Sequence, residues 1–176
     1  MMTKKTFAAL ILGCIVFAFL SVPADAATQR STRIKIYNPT TMNVKKSFLA
    51  FPAAVQNGAT VAVGKVLGDG KNYLVVGAGP GGKSLVRIFE SDGSQRAEFL
   101  AYSRSFKGGV KVASCDLNGD GTDEIITGPG QGAGPSIRIF DSSGTMVLGK
   151  SFYAFTSAFK GGVNVACGDI NGGGST

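Results

Sequence analysis

The chain says the same thing twice and starts a third time. At an offset of 51 residues, Phe48-Leu49-Ala50-Phe51 falls on Phe99-Leu100-Ala101-Tyr102, and Gly68-Asp69-Gly70 on Gly119-Asp120-Gly121. Val86-Arg87-Ile88-Phe89 likewise falls on Ile137-Arg138-Ile139-Phe140. At an offset of 53, Phe106-Lys107-Gly108-Gly109-Val110 returns as Phe159-Lys160-Gly161-Gly162-Val163. A period near fifty residues means one supersecondary unit stacked on its copies, because a single unit cannot bury its apolar face alone. Any short motif can therefore be tested against the same place in another copy.

The units run over about 48–98, 99–151 and 152–176, the last cut short. The second is the clearest. Gly109–Cys115, Glu124–Thr127, Ser136–Asp141 and Met146–Phe155 read as four short strands. Glycine and proline between them supply the backbone angles a reversing chain needs. No window has a convincing 3.6-residue apolar period, and 26 glycines argue against helix. Four antiparallel strands per unit is the sheet of a propeller blade. The expected fold is all-β: a partial β-propeller of about two full blades, with partial blades at each end. Residues 33–47 supply a half-blade remnant, and Val163–Cys167 opens a further unit. Fewer than four blades leads to the expectation that the chain is a fragment of a longer one.

Residues 1–26 read as a secretory signal peptide. Lys4-Lys5 precede an apolar run from Phe7 to Val22, and Ala24-Asp25-Ala26 is a small-x-small cleavage site. The run is shorter than the ~20 residues that span a bilayer. Ile11-Leu12-Gly13-Cys14 also matches a lipobox, a weaker reading because the apolar run continues well past Cys14. Cleavage leaves residues 27–176 as the folded segment, secreted, periplasmic or at the cell surface. Two of 18 basic and one of 11 acidic residues leave with the leader, so the net charge falls from +7 to +6. The basic residues are spread along strands rather than blocked together. That argues against nucleic acid and for a mild attraction to anionic surface polymers.

Cys115 and Cys167 remain after cleavage. They miss equivalent repeat positions by one residue, which on alternating strands tends to send side chains to opposite faces. The expectation is two small buried residues rather than a disulfide. There is no histidine, which removes the commonest general base and the commonest transition-metal ligand.

Asp116, Asn118, Asp120 and Glu124 stand at positions one, three, five and nine of a tight loop, with Gly121 at six and the Thr122 carbonyl at seven. Hard Ca²⁺ takes six to eight oxygens, and alternate residues of such a loop can all turn inward. An EF-hand is excluded, because position twelve is Thr127, within a strand. The first copy has Lys65, Leu67, Asp69 and Tyr73 at the matching positions and should hold no metal. The third keeps Asp169 and Asn171 but has Gly173 for Asp120. One calcium site is expected.

This loop follows a Gly-Gly-Val-x-Val-Ala strand and precedes Gly128-Pro129-Gly130-Gln131-Gly132, and in that setting it resembles an FG-GAP/VCBS-type repeat. This is the unit of the integrin-α-like β-propeller family. The resemblance covers roughly Arg33 to the C-terminus and implies Asp116, Asn118, Asp120, Thr122 (by its carbonyl) and Glu124 as calcium ligands. It also implies an extracellular module for adhesion, binding or scaffolding, with a protein or cell-surface polymer as ligand and other blades or self-association as further partners.

Gly77-Ala78-Gly79-Pro80-Gly81-Gly82-Lys83-Ser84 spells the phosphate-binding pattern Gly-x4-Gly-Lys-Ser. A P-loop needs a helix beginning at the lysine, whereas Leu85–Phe89 reads as a strand and the second copy has Pro135 for Lys83's neighbour. The motif is set aside. Outside the calcium loop every acid is repeat-matched, in an equivalent loop or in a turn, apart from Glu98, and no catalytic set emerges. The chain reads as non-catalytic; the alternative is the propeller segment of a larger secreted hydrolase whose catalytic residues lie outside it.

Overall fold

The computed structural model describes residues 8–11, 14–19, 31–52, 55, 57–147 and 151–169, with side chains from residue 31 on. Every regular element in them is a strand. These are β1 (Ala8–Ile11), β2 (Cys14–Phe19), β3 (Thr32–Tyr37), β4 (Val44–Phe51), β5 (Ala59–Gly64) and β6 (Tyr73–Ala78). They continue as β7 (Leu85–Phe89), β8 (Gln95–Leu100), β9 (Val110–Cys115), β10 (Glu124–Pro129), β11 (Ser136–Phe140) and β12 (Phe152–Tyr153). They form three antiparallel four-stranded sheets, β1–β4, β5–β8 and β9–β12, each in sequence order. The three do not close on one another. Each sheet takes the end of its fourth strand from the opening residues of the next sequence unit, so sheets and units are out of phase by one strand.

The four strands expected in the second unit are all present, the last represented among the described residues by a bridge at Met146 and the two residues of β12. Residues 33–47 differ from expectation. They are not half a sheet, because β2 hydrogen-bonds along β3 and β1 along β2. An unbroken apolar run supplies backbone partners as readily as any strand. The cleavage site at 24–26 lies outside the described residues. Val163–Cys167 is not a sheet strand either. It runs beside β10, where the Val163 amide donates to the Pro129 carbonyl at 2.8 Å.

The core lies between sheets, which explains the composition of the second strand. β6 reads YLVVGA and is buried along its whole length, as expected of a strand covered on both faces. Leu74 and Val76 turn toward Ile34, Ile36 and Phe51 of the first sheet. Tyr73 and Val75 turn toward Val110, Val112 and Ile125 of the third.

The contacts between sheets repeat with the sequence. Phe48 stacks on Phe89 with centroids 5.0 Å apart, and Phe99 on Phe140 at 5.0 Å. Arg87 Nη1 donates to the Ala50 carbonyl and Arg138 Nη1 to that of Ala101, each at 2.8 Å. Their guanidinium groups lie over the rings of Phe51 and Tyr102, at 5.1 and 4.9 Å. The half-buried strand arginines are therefore clasps between sheets, and an aromatic face is a favourable seat for a cation. Glycine sets the closeness: a Cβ on Gly77 would meet the Val110 carbonyl at 2.6 Å, and one on Gly128 the Val163 carbonyl at 2.6 Å.

Cys115 is bonded to Cys167, with Cα atoms 6.1 Å apart. This corrects the expectation of two unpaired cysteines. Sheets meet with a slip of one residue: a Cβ on Gly64 would strike Ser114 of the next sheet. Cys115 holds the repeat position of Gly64, and Cys167 that of Ser114. The one-residue mismatch that seemed to separate the cysteines is what brings them together.

The loop from Asp116 to Glu124

The loop joins the end of β9 to the start of β10, and its side chains cap their own backbone. Asp116 Oδ1 accepts from the amides of Gly119 (2.7 Å) and Asp120 (3.2 Å), and Oδ2 accepts from Gly121 (2.7 Å). Gly121 N–H, with those of Gly119 and Asp120, favours the charged carboxylate and holds the Asp116 pKa below its ordinary 3.8, against a smaller opposing effect of burial. Asn118 Oδ1 accepts from the Asp120 amide at 2.9 Å, and Asp120 Oδ1 from the Thr122 amide at 2.7 Å. Gly119 and Gly121 both have positive φ, at 79° and 85°, which lets two such turns follow one another.

Glu124 opens β10 and is only 7% exposed. Its Oε2 accepts from the Leu117 amide at 2.8 Å, and its Oε1 from Asn118 Nδ2 at 3.0 Å. The same Nδ2 donates to Asp120 Oδ2 at 3.0 Å. An amide group thus bridges two carboxylates, one of them buried.

The structure brings Asp120, Asn118 and Glu124 into one network and aims Asp116 at the loop amides. Among the described residues, no three acidic, cysteine or histidine side chains converge closely enough to hold a metal. The residues fit a hard cation in type and order. To ligate one together, the carboxylates would exchange backbone and amide donors for the ion. Asn118, Asp120, Thr122 and Glu124 line an open cleft of about 280 Å³, together with Leu67 and Gly68 of the second sheet and Asp141 and Ser142 of the third. The loop is therefore accessible to ions from solution.

Asp123 has a role that the sequence reading left out. Its Oδ2 accepts from Ser114 Oγ and from the Lys65 amide, each at 3.1 Å. The only sequence signal was its place beside Glu124.

In the first copy of the loop, Asp69 is engaged by the Tyr73 hydroxyl at 2.7 Å and by Lys71 at 3.4 Å. In the third, Asn171 and Gly173 lie outside the described residues. The Gly77–Ser84 segment leads into strand β7, as expected. Ser84 is fully buried, donating to the carbonyls of Tyr102 and Ser103, and cannot serve a bound nucleotide.

No protein-family model matches the chain, and no curated protein resembles it significantly.

Proposed function

We propose that the chain is an exported, non-catalytic β-propeller repeat module that binds one Ca²⁺ at the Asp116–Glu124 loop and serves in adhesion, binding or scaffolding outside the cell. Its three sheets are then successive blades. The observation that carries the reading is the network of Asp120, Asn118 and buried Glu124, where a single amide group holds two carboxylates at the mouth of an open cleft. A divalent cation with oxygen ligands suits that place better than an amide does, because both carboxylates would gain a full positive charge as partner. Asp116, Asn118, Asp120, the Thr122 carbonyl and Glu124 would hold the ion, and its chemistry there is structural. On the same reading, residues 1–26 leave as a signal peptide, and β1 and β2 leave with them. N-terminal analysis of the exported protein should then begin at Ala27.

Titration calorimetry with Ca²⁺ on the chain should give a stoichiometry near one, with a Kd of ~10⁻⁴–10⁻³ M as for extracellular modules. Asp116→Ala and Asp120→Ala should each abolish the heat. A stoichiometry of two or three would mean the degenerate copies also bind, and no binding would leave the loop a plain glycine-aspartate turn.

A further inference from the structure

The loop that carries the acid set is also the loop whose root is bridged. Cys115, the last residue of β9, is followed at once by Asp116 and pairs across the sheet with Glu124, the first residue of β10. Its sulfur is bonded to Cys167, in the segment that runs beside the third sheet. The first copy has Gly64 in place of Cys115, and Lys65, Leu67 and Tyr73 in place of Asp116, Asn118 and Glu124. Cross-link and ligand set are missing together from one unit and occur together in the next.

Two ties hold the loop, one on each side. Toward the second sheet, Asp123 accepts from the Lys65 amide and from Ser114 Oγ, each at 3.1 Å. Toward the following segment, the tie is the disulfide. Backbone hydrogen bonds join that segment to the third sheet at the other end of β10, where the Val163 amide donates to Pro129 and the Gly132 amide to Lys160. At the Glu124 end the covalent bond holds it. Cys115 and Glu124 are both buried, so a shift of one is felt by the other. Glu124 in turn accepts from the Leu117 amide at 2.8 Å and from Asn118 Nδ2 at 3.0 Å. The bond thus fixes the base from which Asp116, Asp120 and Glu124 are presented. Drawing three like charges toward one point costs repulsion and chain entropy, and a base held in advance lessens what binding must supply.

We infer that the Cys115–Cys167 disulfide is a redox control on this loop: the oxidised chain holds the acid set ready for a divalent cation, and the dithiol chain binds it weakly. The clause on the cation rests on the calcium reading above; the ordering of the loop does not. Oxidation proceeds by exchange with a disulfide oxidant. One thiolate attacks the oxidant's S–S bond to give a mixed disulfide, and the second displaces the oxidant's remaining sulfur. The oxidant leaves as two thiols, carrying the two electrons and two protons. Reduction by a dithiol is the reverse. Coupling between two equilibria is reciprocal, so calcium must stabilise the disulfide by the same factor by which the disulfide strengthens calcium binding.

The full chain has three cysteines, and Cys14→Ser leaves the two that matter. This chain is compared oxidised and after reduction with dithiothreitol. Calorimetry should give a calcium Kd about 5–150-fold weaker in the reduced form, the usual span of such coupling. In a dithiol redox buffer, saturating calcium should make the midpoint potential more negative, by ~30 mV for each tenfold. Without calcium, amide hydrogen exchange at Leu117 and Gly121 should quicken on reduction, while Val75 and Val76 of β6 stay protected. Unchanged exchange at Leu117 and Gly121 overturns the inference, because the disulfide then has no hold on the loop. Loss of protection at Val75 and Val76 as well also overturns it, since the bond is then a support of the whole fold. Equal calcium affinity in the two forms overturns the control of the cation. Calcium binding by neither form counts against the calcium reading instead, and the exchange comparison then decides the hold of the disulfide on the loop.

Discussion

Asp123 grips Lys65 from both sides of one peptide register: the Lys65 amide donates to Asp123 Oδ2 at 3.1 Å, and the Asp123 amide donates to the Lys65 carbonyl at 3.3 Å. The two residues belong to neighbouring sheets, and Asp123 sits between Thr122 and Glu124 of the proposed ligand set. Asp123→Ala leaves the Lys65 amide without its carboxylate, and a hydrogen bond to a charged group is worth ~1.5–3 kcal/mol. Urea unfolding should show a loss of about that size. The same variant should bind calcium more weakly in calorimetry, because the loop loses its anchor to the second sheet.

Reduction of Cys115–Cys167 should cost more than any single hydrogen bond. The two residues are 52 apart in sequence, and closing a loop of that length removes about 4 kcal/mol of unfolded-state entropy. Cys115→Ser with Cys167→Ser should lower the melting temperature by several degrees. Trypsin should then cut at Lys160 before it cuts within β9–β11, since residues 160–169 would lose their covalent tie to β9.

Tyr102 makes the protein sensitive to alkali. Burial pushes its phenol from 10.0 up to about 12, opposed by its hydrogen bond with Thr127 and by the Arg138 charge. A folded-state pKa raised above the unfolded one contributes stability that is fully present below pH 10 and is lost as pH rises toward 12. Two pH units correspond to roughly 2–3 kcal/mol. Stability measured by denaturant should therefore fall between pH 10 and 12, and Tyr102→Phe should flatten that fall. The variant should be weaker at neutral pH, because the Tyr102 hydroxyl donates to the Ser136 carbonyl at 2.9 Å.

Gly77→Ala should push the second and third sheets apart. The new methyl would meet the Val110 carbonyl at 2.6 Å and Thr60 Oγ1 at 2.7 Å, and Thr60 Oγ1 is already donating to that carbonyl at 2.7 Å. Overpacking of this kind costs ~1–3 kcal/mol. Gly70→Ala meets nothing within 4 Å but has a φ of 74°. It tests backbone strain alone, and its melt provides the comparison.

The strands were legible because repetition let one unit correct another, and glycine marked the turns. What was not legible lies between units. A strand pattern records which way a side chain points, but not how far a neighbouring sheet is displaced along its axis. The slip of one residue that joins Cys115 to Cys167 therefore had no trace in either sequence copy. Arg87 and Arg138 stood out in the sequence only as basic residues spread along strands, since alternation cannot distinguish a side chain facing water from one reaching across to another sheet. In the loop, spacing marked Asp116, Asn118, Asp120 and Glu124, while Asp123 was invisible because its partners, Ser114 and Lys65, are set by the approach of two sheets. The strands β1 and β2 were missed for another reason: the same apolar run satisfies a leader and a sheet partner equally well.

The clasps are all relative. Arg87 reaches back 37 residues to Ala50, and Arg138 reaches back 37 to Ala101. A gene built this way can gain or lose a whole unit by recombination and present every junction with a counterpart it already fits. An insertion of one codon within a unit is tolerated only in a turn, since anywhere else it throws arginine, phenylalanine and glycine out of step with the sheet before them. Length is thus the freest variable of such a protein, and phase the most constrained.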